Sequence, residues 1–204
     1  MPKLAAATRA ERRTQLIQAA WRCAARKGYR DMTVDDVCTE AGVSKGAFYG
    51  YFHQKQDLLV ALLDDDADSL NLMAENLDHQ AIPAIERLRR YTREVLERSE
   101  DPARVQLRAD LWTAVVTEKL LAERLAATVQ QRRGLLRGWI ERAVRTGEMQ
   151  DIPANAFASI LLALTDGLML HGNLHPSAFR WTNIRRALDV LLAGIAIESP
   201  GAGG

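Results

Sequence analysis

The chain has 204 residues, of which 48% are apolar and 26% are charged, and its formal net charge is +1. This composition excludes a disordered or low-complexity chain and indicates a globular protein of one large or two small domains. Two cysteines, Cys23 and Cys38, are too few for a disulfide framework or a four-ligand zinc site. We therefore expect both thiols to be reduced and buried.

The sequence also predicts a soluble protein of the cytoplasm. The N-terminus is basic and lacks the uninterrupted apolar segment of a signal peptide. No stretch is expected to approach the roughly 20 apolar residues that span a bilayer, so we predict no membrane association.

Charge is distributed unevenly between the first 55 residues and the rest. The first part holds ten basic and five acidic side chains, whereas the second holds 17 basic and 21 acidic ones. A basic head on an acidic body favours contact with a polyanion, although an ordinary solvated surface would explain the charge alone.

The head carries the signals of three helices. Apolar side chains recur at helical spacing from about Arg9, and Gly28 ends this first helix. Thr33 is placed to cap a second helix, and Asp36 three residues later completes a capping-box pattern. Gly42 supplies a turn residue able to adopt positive φ, and Ser44 starts a third, short helix.

Helical periodicity continues almost without interruption after the head, and no segment alternates with period two for long enough to be a strand. The sequence therefore predicts an all-α fold with an N-terminal head in residues 1–54 and a helical body in residues 55–204. We place the helices of the body near 55–78, 83–98, 102–114, 117–146, 153–173 and 180–197.

The second and third helices, joined by a tight glycine turn, have the layout of a helix-turn-helix, whose second helix enters the major groove of DNA. We expect Phe48 and Phe52 to face inward. Tyr49 and Tyr51 offer hydroxyls to phosphates and ring edges to thymine methyls. A core position for both tyrosines is the alternative, but their coincidence with the turn glycine, the capping serine and the lysines favours DNA contact.

Four further residues are candidates for contact with DNA. Lys45 can reach a guanine edge or a phosphate, and Ser44 can donate to a phosphate at the helix N-terminus. Lys55 and Thr33 stand at the starts of their own helices, where a cation or amides converge on an anion. The basic arm at residues 1–13 either reaches phosphates or the minor groove, or is a solubilising tail.

The stretch TVDDVCTEAGVSKGAFYGYFHQKQDLLVAL, residues 33–62, closely resembles the DNA-binding region of the TetR family of bacterial transcriptional repressors. The resemblance covers roughly residues 9–63. It implies an obligate homodimer joined by the last two long helices, with an effector pocket in the body. The DNA contacts that it implies are Thr33, Ser44, Lys45, Gly46, Tyr49, Tyr51 and Lys55.

One departure from the family pattern lies at the start of the second helix. Asp35 and Asp36 stand where many relatives place groups that can face DNA. Because carboxylates repel phosphate, neither is included among the predicted contacts, and Asp35 could at most accept from a cytosine amine.

The last two helices carry apolar stripes that exceed what one protomer of this size is expected to cover, which favours a two-fold interface. Two-fold symmetry would call for a palindromic DNA site. The residues predicted for this interface are Leu161, Leu164, Leu168, Leu188, Leu191, Leu192 and Ile195.

Large or adaptable side chains of the body are candidates for an effector pocket between helices. Asp166 is the one charge in the apolar run LLALTDGLML, and an unpartnered buried carboxylate would be costly. It is therefore expected to meet an arginine across the dimer, to cap a backbone group or to face a cationic ligand. The candidates are Met73, Tyr91, Trp112, Trp139, Asp166 and Met169.

Two rival functions are left open. His171 and His175 have the spacing of a metal pair on one helix, but Gly172 and Pro176 indicate that the helix ends there. We expect no metal, no cofactor and no enzymatic activity, since no catalytic motif is present. The rivals are a metal-binding or enzymatic bundle and a protein-binding adaptor with a non-functional head. The preferred prediction is a repressor that a small, hydrophobic effector releases from its operator.

Overall fold

The computed structural model describes residues 2–101, 104–110, 118–174 and 179–197, with side chains described outside residues 2–7 and 173. Over these residues the fold is all-α, as predicted, and no strand forms. The helices are α1 (Pro2–Asp31), α2 (Val34–Ala41), α3 (Lys45–Tyr49), α4 (Lys55–Asp78), α5 (Ala84–Arg98), α6 (104–110), α7 (Lys119–Arg145), α8 (Ala154–Leu174) and α9 (Trp181–Ile195).

The chain divides into two compact units. The first comprises the described residues of Met1–Ser69 and Pro102–Leu125, and the second those of Leu70–Asp101 and Ala126–Gly204. Each unit has its own apolar core. The predicted domain boundary at residues 54 and 55 stays a prediction.

The N-terminal arm is helical, because α1 begins at Pro2. The sequence predicts an arm or tail at these residues, with helical periodicity beginning only near Arg9. The run of alanines at residues 5–7 has the highest intrinsic helix propensity, and proline is tolerated in a first turn. Regular helical geometry ends at Gly28, which has φ 76°. That glycine was predicted as the end of the helix.

The first unit is organised around the apolar faces of α1, α2 and α4. Leu16, Ala20, Val37 and Leu58 are fully or almost fully buried in one cluster, which Phe48 of α3 joins. Both cysteines are buried in this core and are not disulfide-bonded. Burial raises the pKa of each thiol, so both are protonated at neutral pH.

The second unit is a bundle whose core includes Leu96 of α5, Trp139 and Ile140 of α7, and Leu192 of α9. Its α8 is more apolar than the sequence analysis expected. The segment Ala154–Gly172 has 19 residues and a mean hydropathy of 1.3, which makes it long and apolar enough to cross a membrane. The expectation that no stretch approaches this limit is therefore wrong. Core helices of globular proteins reach the same length and hydropathy.

Candidate nucleic-acid interface

The short helix α3 presents one polar face to solvent and buries the other. Phe48 and Phe52 are buried in the core of the first unit, as predicted, with ring centroids 5.5 Å apart. Tyr49 packs edge-on against Phe48 at 5.4 Å and keeps 50% of its surface exposed. Gly46 is also exposed, so a groove wall could approach the backbone of α3 at this point. Because Phe48 anchors the buried face of α3 in the core, the orientation of the exposed face with Tyr49 is also fixed.

The ends of α2 and α3 adopt the predicted caps. The Thr33 hydroxyl accepts from the Asp36 amide at 3.1 Å, and the Asp36 carboxylate accepts from the Thr33 amide at 2.9 Å. The Ser44 hydroxyl accepts from the Ala47 amide at 3.2 Å. Gly42 between the helices has φ 64°. These local bonds set the angle at which α3 leaves the turn.

Lys45, the first residue of α3, forms an ion pair across the turn with Asp35 of α2. Its Nζ lies 2.8 Å from the Asp35 Oδ1, and both side chains are well exposed. The hydrogen bond to Asp35 raises the pKa of Lys45, which is therefore fully charged at neutral pH. Asp35 is not among the predicted DNA contacts, and the sequence alone does not predict this pair. The pair puts one cation and one carboxylate together at the entrance to α3.

Two arginines of α1 lie over aromatic rings of the helix-turn-helix. The Arg9 guanidinium is 5.9 Å from the centroid of the Tyr51 ring, and that of Arg13 is 5.6 Å from the centroid of Phe52. Tyr51 is half-buried and, with Arg12 and Ser44, helps to line an open depression of about 300 Å³. The basic residues at positions 9–13 thus lie beside the third helix. Because these residues belong to α1, the backbone of that helix fixes their positions.

Other cations of α1 are neutralised by α2. Glu40 accepts from Arg22 and Arg26 at 2.6 Å each, and Asp36 accepts from Lys27 at 2.6 Å. These donors lower the pKa of Glu40 and bring that of Asp36 to about 2. The net positive charge of the head is therefore carried by its other basic residues, which include those at positions 9–13.

Lys55 has a different environment from the one predicted for a phosphate contact. Its Nζ donates to the Arg30 carbonyl at 2.9 Å and lies 4.6 Å from the centroid of the Tyr29 ring. Burial lowers its pKa. Together with Asp110 and Glu118, these residues line an open cavity of about 360 Å³ in the first unit. A contact between Lys55 and DNA stays a prediction, and in this structure the ammonium ties α4 to the end of α1.

The residues of the body that were predicted to bind an effector differ in burial and in their contacts. Tyr91 and Trp139 are buried and pack edge to face at 5.5 Å, and the Trp139 Nε1 donates to the Asp78 carboxylate at 2.8 Å. Met169 is buried and Met73 is half-buried. Trp112 lies outside the described residues. The structure thus accounts for Tyr91 and Trp139 as core residues, and their role in binding stays a prediction.

Asp166 meets an arginine of its own chain. The Arg132 Nη1 lies 4.0 Å from the Asp166 Oδ1, so a partner across a dimer is not required to neutralise this carboxylate. The charge in α8 is evident from the sequence, whereas Arg132, which interrupts the apolar stripe of α7 in the same way, was not among the predicted residues.

The predicted interface residues differ in exposure. Leu161, Leu188 and Leu192 are buried in the core of their own protomer, whereas Leu191 is 64% exposed. Leu164, Leu168 and Ile195 are half-buried. The other large apolar residues on α8 and α9 that are exposed are Ile160, Leu170, Leu174 and Val190.

The described residues contain no group of three or more potential metal ligands from histidine, cysteine, aspartate and glutamate. His171 is exposed on α8, and His175 lies outside the described residues.

A capped helix behind a glycine turn, anchored by two phenylalanines and open on its other face, is suited to enter a major groove. The geometry therefore defines a helix-turn-helix DNA-binding protein. Residues 16–62 match the family described as bacterial regulatory proteins of the tetR family, and residues 84–196 match the BetI-type transcriptional repressor C-terminal family. The chain belongs to the TetR family of DNA-binding transcriptional regulators.

The matches to similar proteins cover most of this chain. The transcriptional repressor AcnR of Corynebacterium diphtheriae is 24% identical over 205 residues, which cover 98% of this chain and 100% of the relative. A TetR regulator from Haloarcula marismortui superposes with a TM-score of 0.83 at 20% identity, covering 92% of this chain and all of that one. A regulator from Saccharomonospora viridis in complex with choline superposes with a TM-score of 0.79 at 21% identity, covering 93% of this chain and 100% of that one. The two structures support the fold.

Proposed function

We propose that this regulator is a cytoplasmic repressor that binds a palindromic operator as a homodimer and is released by a small effector. The observation that carries the proposal is the two-faced α3, which buries Phe48 and leaves Tyr49 and Lys45 exposed. The repressor descriptions of the C-terminal family and of AcnR support the direction of regulation.

DNA contact by α3 is tested by substitution of its exposed tyrosine. Sequencing of the genomic fragments retained by the purified protein first defines an operator. Tyr49→Ala should then weaken operator binding by about 5- to 150-fold if the ring touches a base, as measured by fluorescence anisotropy. Tyr49→Phe separates a hydroxyl contact with phosphate from an apolar contact with thymine. Leu72→Ala, an exposed residue of the second unit, is the control.

If neither Tyr49 variant differs from the parent protein on the operator, the assignment of α3 as the reading helix is wrong. A steep fall of specific affinity with rising salt is expected for the regulator. The absence of any specific duplex affinity would favour an adaptor with a non-functional head or the metal-binding bundle instead.

The dimer proposed for α8 and α9 rests on exposed apolar side chains. Val190 and Leu191 are each about two-thirds exposed and border an open depression on α9, and Ile160 of α8 is also exposed. Leu191→Glu should produce monomers in sedimentation-velocity experiments, because a carboxylate would have to be desolvated at the interface. Leu120→Glu is the matched control, since Leu120 is also 64% exposed but lies on α7. Unchanged dimers in Leu191→Glu would remove this interface.

Effector release is proposed to act through α4, which continues from the first unit into the second. A ligand that favours one arrangement of this helix lowers operator affinity by the ratio of its affinities for the two states. One of the similar structures contains choline, which supports a small-molecule effector for this chain as well. The body's apolar core favours an effector that is largely hydrophobic.

A further inference from the structure

Arg132 is a charged residue at a core position of α7. It follows Val129 by three residues and precedes Leu136 by four, so the three share one side of the helix. Val129 and Leu136 belong to the apolar core of the second unit, and the Arg132 side chain is only 6% exposed. A guanidinium in such a position requires partners for its donors.

The guanidinium of Arg132 has partners for only some of its nitrogen atoms. Its Nε and Nη2 are buried and have no hydrogen-bond partner among the described residues. Its Nη1 faces Asp166 at 4.0 Å, which is an ion-pair distance but too long for a hydrogen bond. Arg89 and Arg133 each leave only a buried Nε without a partner, and both side chains are half-exposed. Arg132 is thus the residue of this group with two adjacent donors unused.

The two unused nitrogens have a specific geometry. In arginine, Nε and Nη2 form one edge of the planar guanidinium, and their two N–H bonds point in parallel. This edge matches the two oxygens of a carboxylate, which it binds through a pair of charge-assisted hydrogen bonds. A lone hydroxyl or carbonyl would satisfy one donor and leave the other.

We infer that Arg132 binds the carboxylate of an acidic effector through its Nε–Nη2 edge, with the apolar remainder of that ligand against the α7–α8 region of the second unit. The inference rests on the proposed ligand response and assigns the chemical class of the ligand. Met169, buried on α8 one turn beyond Asp166, is an adaptable apolar side chain for such a ligand. Asp166 is 23% exposed and keeps the guanidinium ion-paired when no ligand is bound.

The test measures binding directly, without DNA, by isothermal titration calorimetry on the full chain. The probes are octanoate, 4-phenylbutyrate and indole-3-acetate, each paired with its neutral primary amide, and choline as a cation. At least one carboxylate should bind, and its amide should bind at least about tenfold more weakly, because two charge-assisted bonds are lost. The inference is overturned if no carboxylate binds more tightly than its amide or if choline alone binds.

Three variants then locate the contact. Arg132→Met should weaken carboxylate binding by about 10- to 100-fold and leave binding of the amide unchanged. Arg132→Lys keeps the charge but cannot form the two parallel bonds, so it should also lose affinity. Asp166→Asn removes the neighbouring anion and should strengthen carboxylate binding, whereas a cationic ligand would bind more weakly to it. Equal carboxylate affinity in Arg132→Lys and the parent protein contradicts the inference.

Circular dichroism and thermal unfolding check that the variants fold. Should Arg132→Met not fold, Arg132→Lys and Asp166→Asn still decide between an anionic and a cationic ligand. Failure of the proposed function has a separate signature: the carboxylate binds through Arg132, yet operator affinity does not fall. Release of DNA by a neutral compound in both Arg132 variants would leave the repressor intact and refute the acidic effector.

Discussion

Lys45 offers the sharpest test of how the helix-turn-helix reads DNA, because its exposed ammonium can meet either a phosphate or a base. Lys45→Met removes the charge and keeps the aliphatic part of the side chain. The side chain is exposed, and its one described ion pair is with Asp35, so we expect the thermal midpoint to change by no more than about 2 °C. Any change in DNA affinity then reports on the contact itself.

The two contacts have different signatures. Each lysine–phosphate contact contributes about 0.9 to the slope of log affinity against log salt. Loss of one such contact from each protomer would therefore make the slope of the proposed dimer less steep by about 1.8. A guanine contact would instead weaken specific binding by about 5- to 150-fold, with the slope nearly unchanged and the base preference relaxed at one position.

Fluorescence anisotropy with operator duplex between 50 and 200 mM KCl measures both quantities. Lys119→Met is the matched control, because Lys119 is a highly exposed lysine that also pairs with a carboxylate, Glu123 at 3.7 Å. Asp35→Asn adds a second arm: loss of the carboxylate should strengthen non-specific binding, since it otherwise competes with phosphate for the Lys45 ammonium. If Lys45→Met changes neither affinity nor slope, Lys45 does not contact DNA.

Four further substitutions, one of them a control, test the local structure. Gly42→Ala should destabilise the fold by about 1–2 kcal/mol in urea unfolding, because φ is 64° there, whereas Gly46→Ala, whose added Cβ has ordinary contacts, should not. Gly172→Ala should cost about 1–3 kcal/mol in the same measurement, since its Cβ would lie 2.6 Å from a ring carbon of Trp181; an unchanged midpoint would refute this packing. Asp36→Asn should lower the urea midpoint above about pH 4. Because folding lowers the pKa of Asp36 from 3.8 to about 2, the difference from the parent protein should shrink as the pH falls and vanish only below about pH 2.

The head could be predicted in detail because its signals are local. The caps at Thr33 and Ser44 depend on hydrogen bonds three residues along the chain, and the turn at Gly42 depends on one residue's backbone. Burial of Phe48 and Phe52 follows from their spacing of four on the side of the chain opposite Tyr49. In each case the partner is fixed by the sequence separation, so no knowledge of the tertiary structure is needed.

Contacts that depend on tertiary structure were not predicted. Lys55 has a helix-start position that suits phosphate binding, yet its ammonium meets the Tyr29 ring and the Arg30 carbonyl, 26 and 25 residues earlier. The apolar periodicity of α9 correctly predicted a helix, but it could not show which leucines a second protomer would cover. Leu188 and Leu192 are buried within the protomer, whereas Leu191 between them is exposed. Periodicity defines an apolar face, but it does not identify the surface that packs on it.

The charge of the proposed effector does not follow from the fold, although a similar structure at 21% identity contains choline. A quaternary ammonium is held by aromatic faces or carboxylates, and a nearby guanidinium would oppose it. Arg132 and Asp166 of the second unit form a pair of opposite charges, with the Arg132 Nη1 4.0 Å from the Asp166 Oδ1. Asp166 is 23% exposed and can be solvated in part by water, whereas Arg132 is 6% exposed and leaves two buried nitrogens without a partner among the described residues. The groups left without partners are therefore two donors of a cation, and the ligand that satisfies both best is an anion.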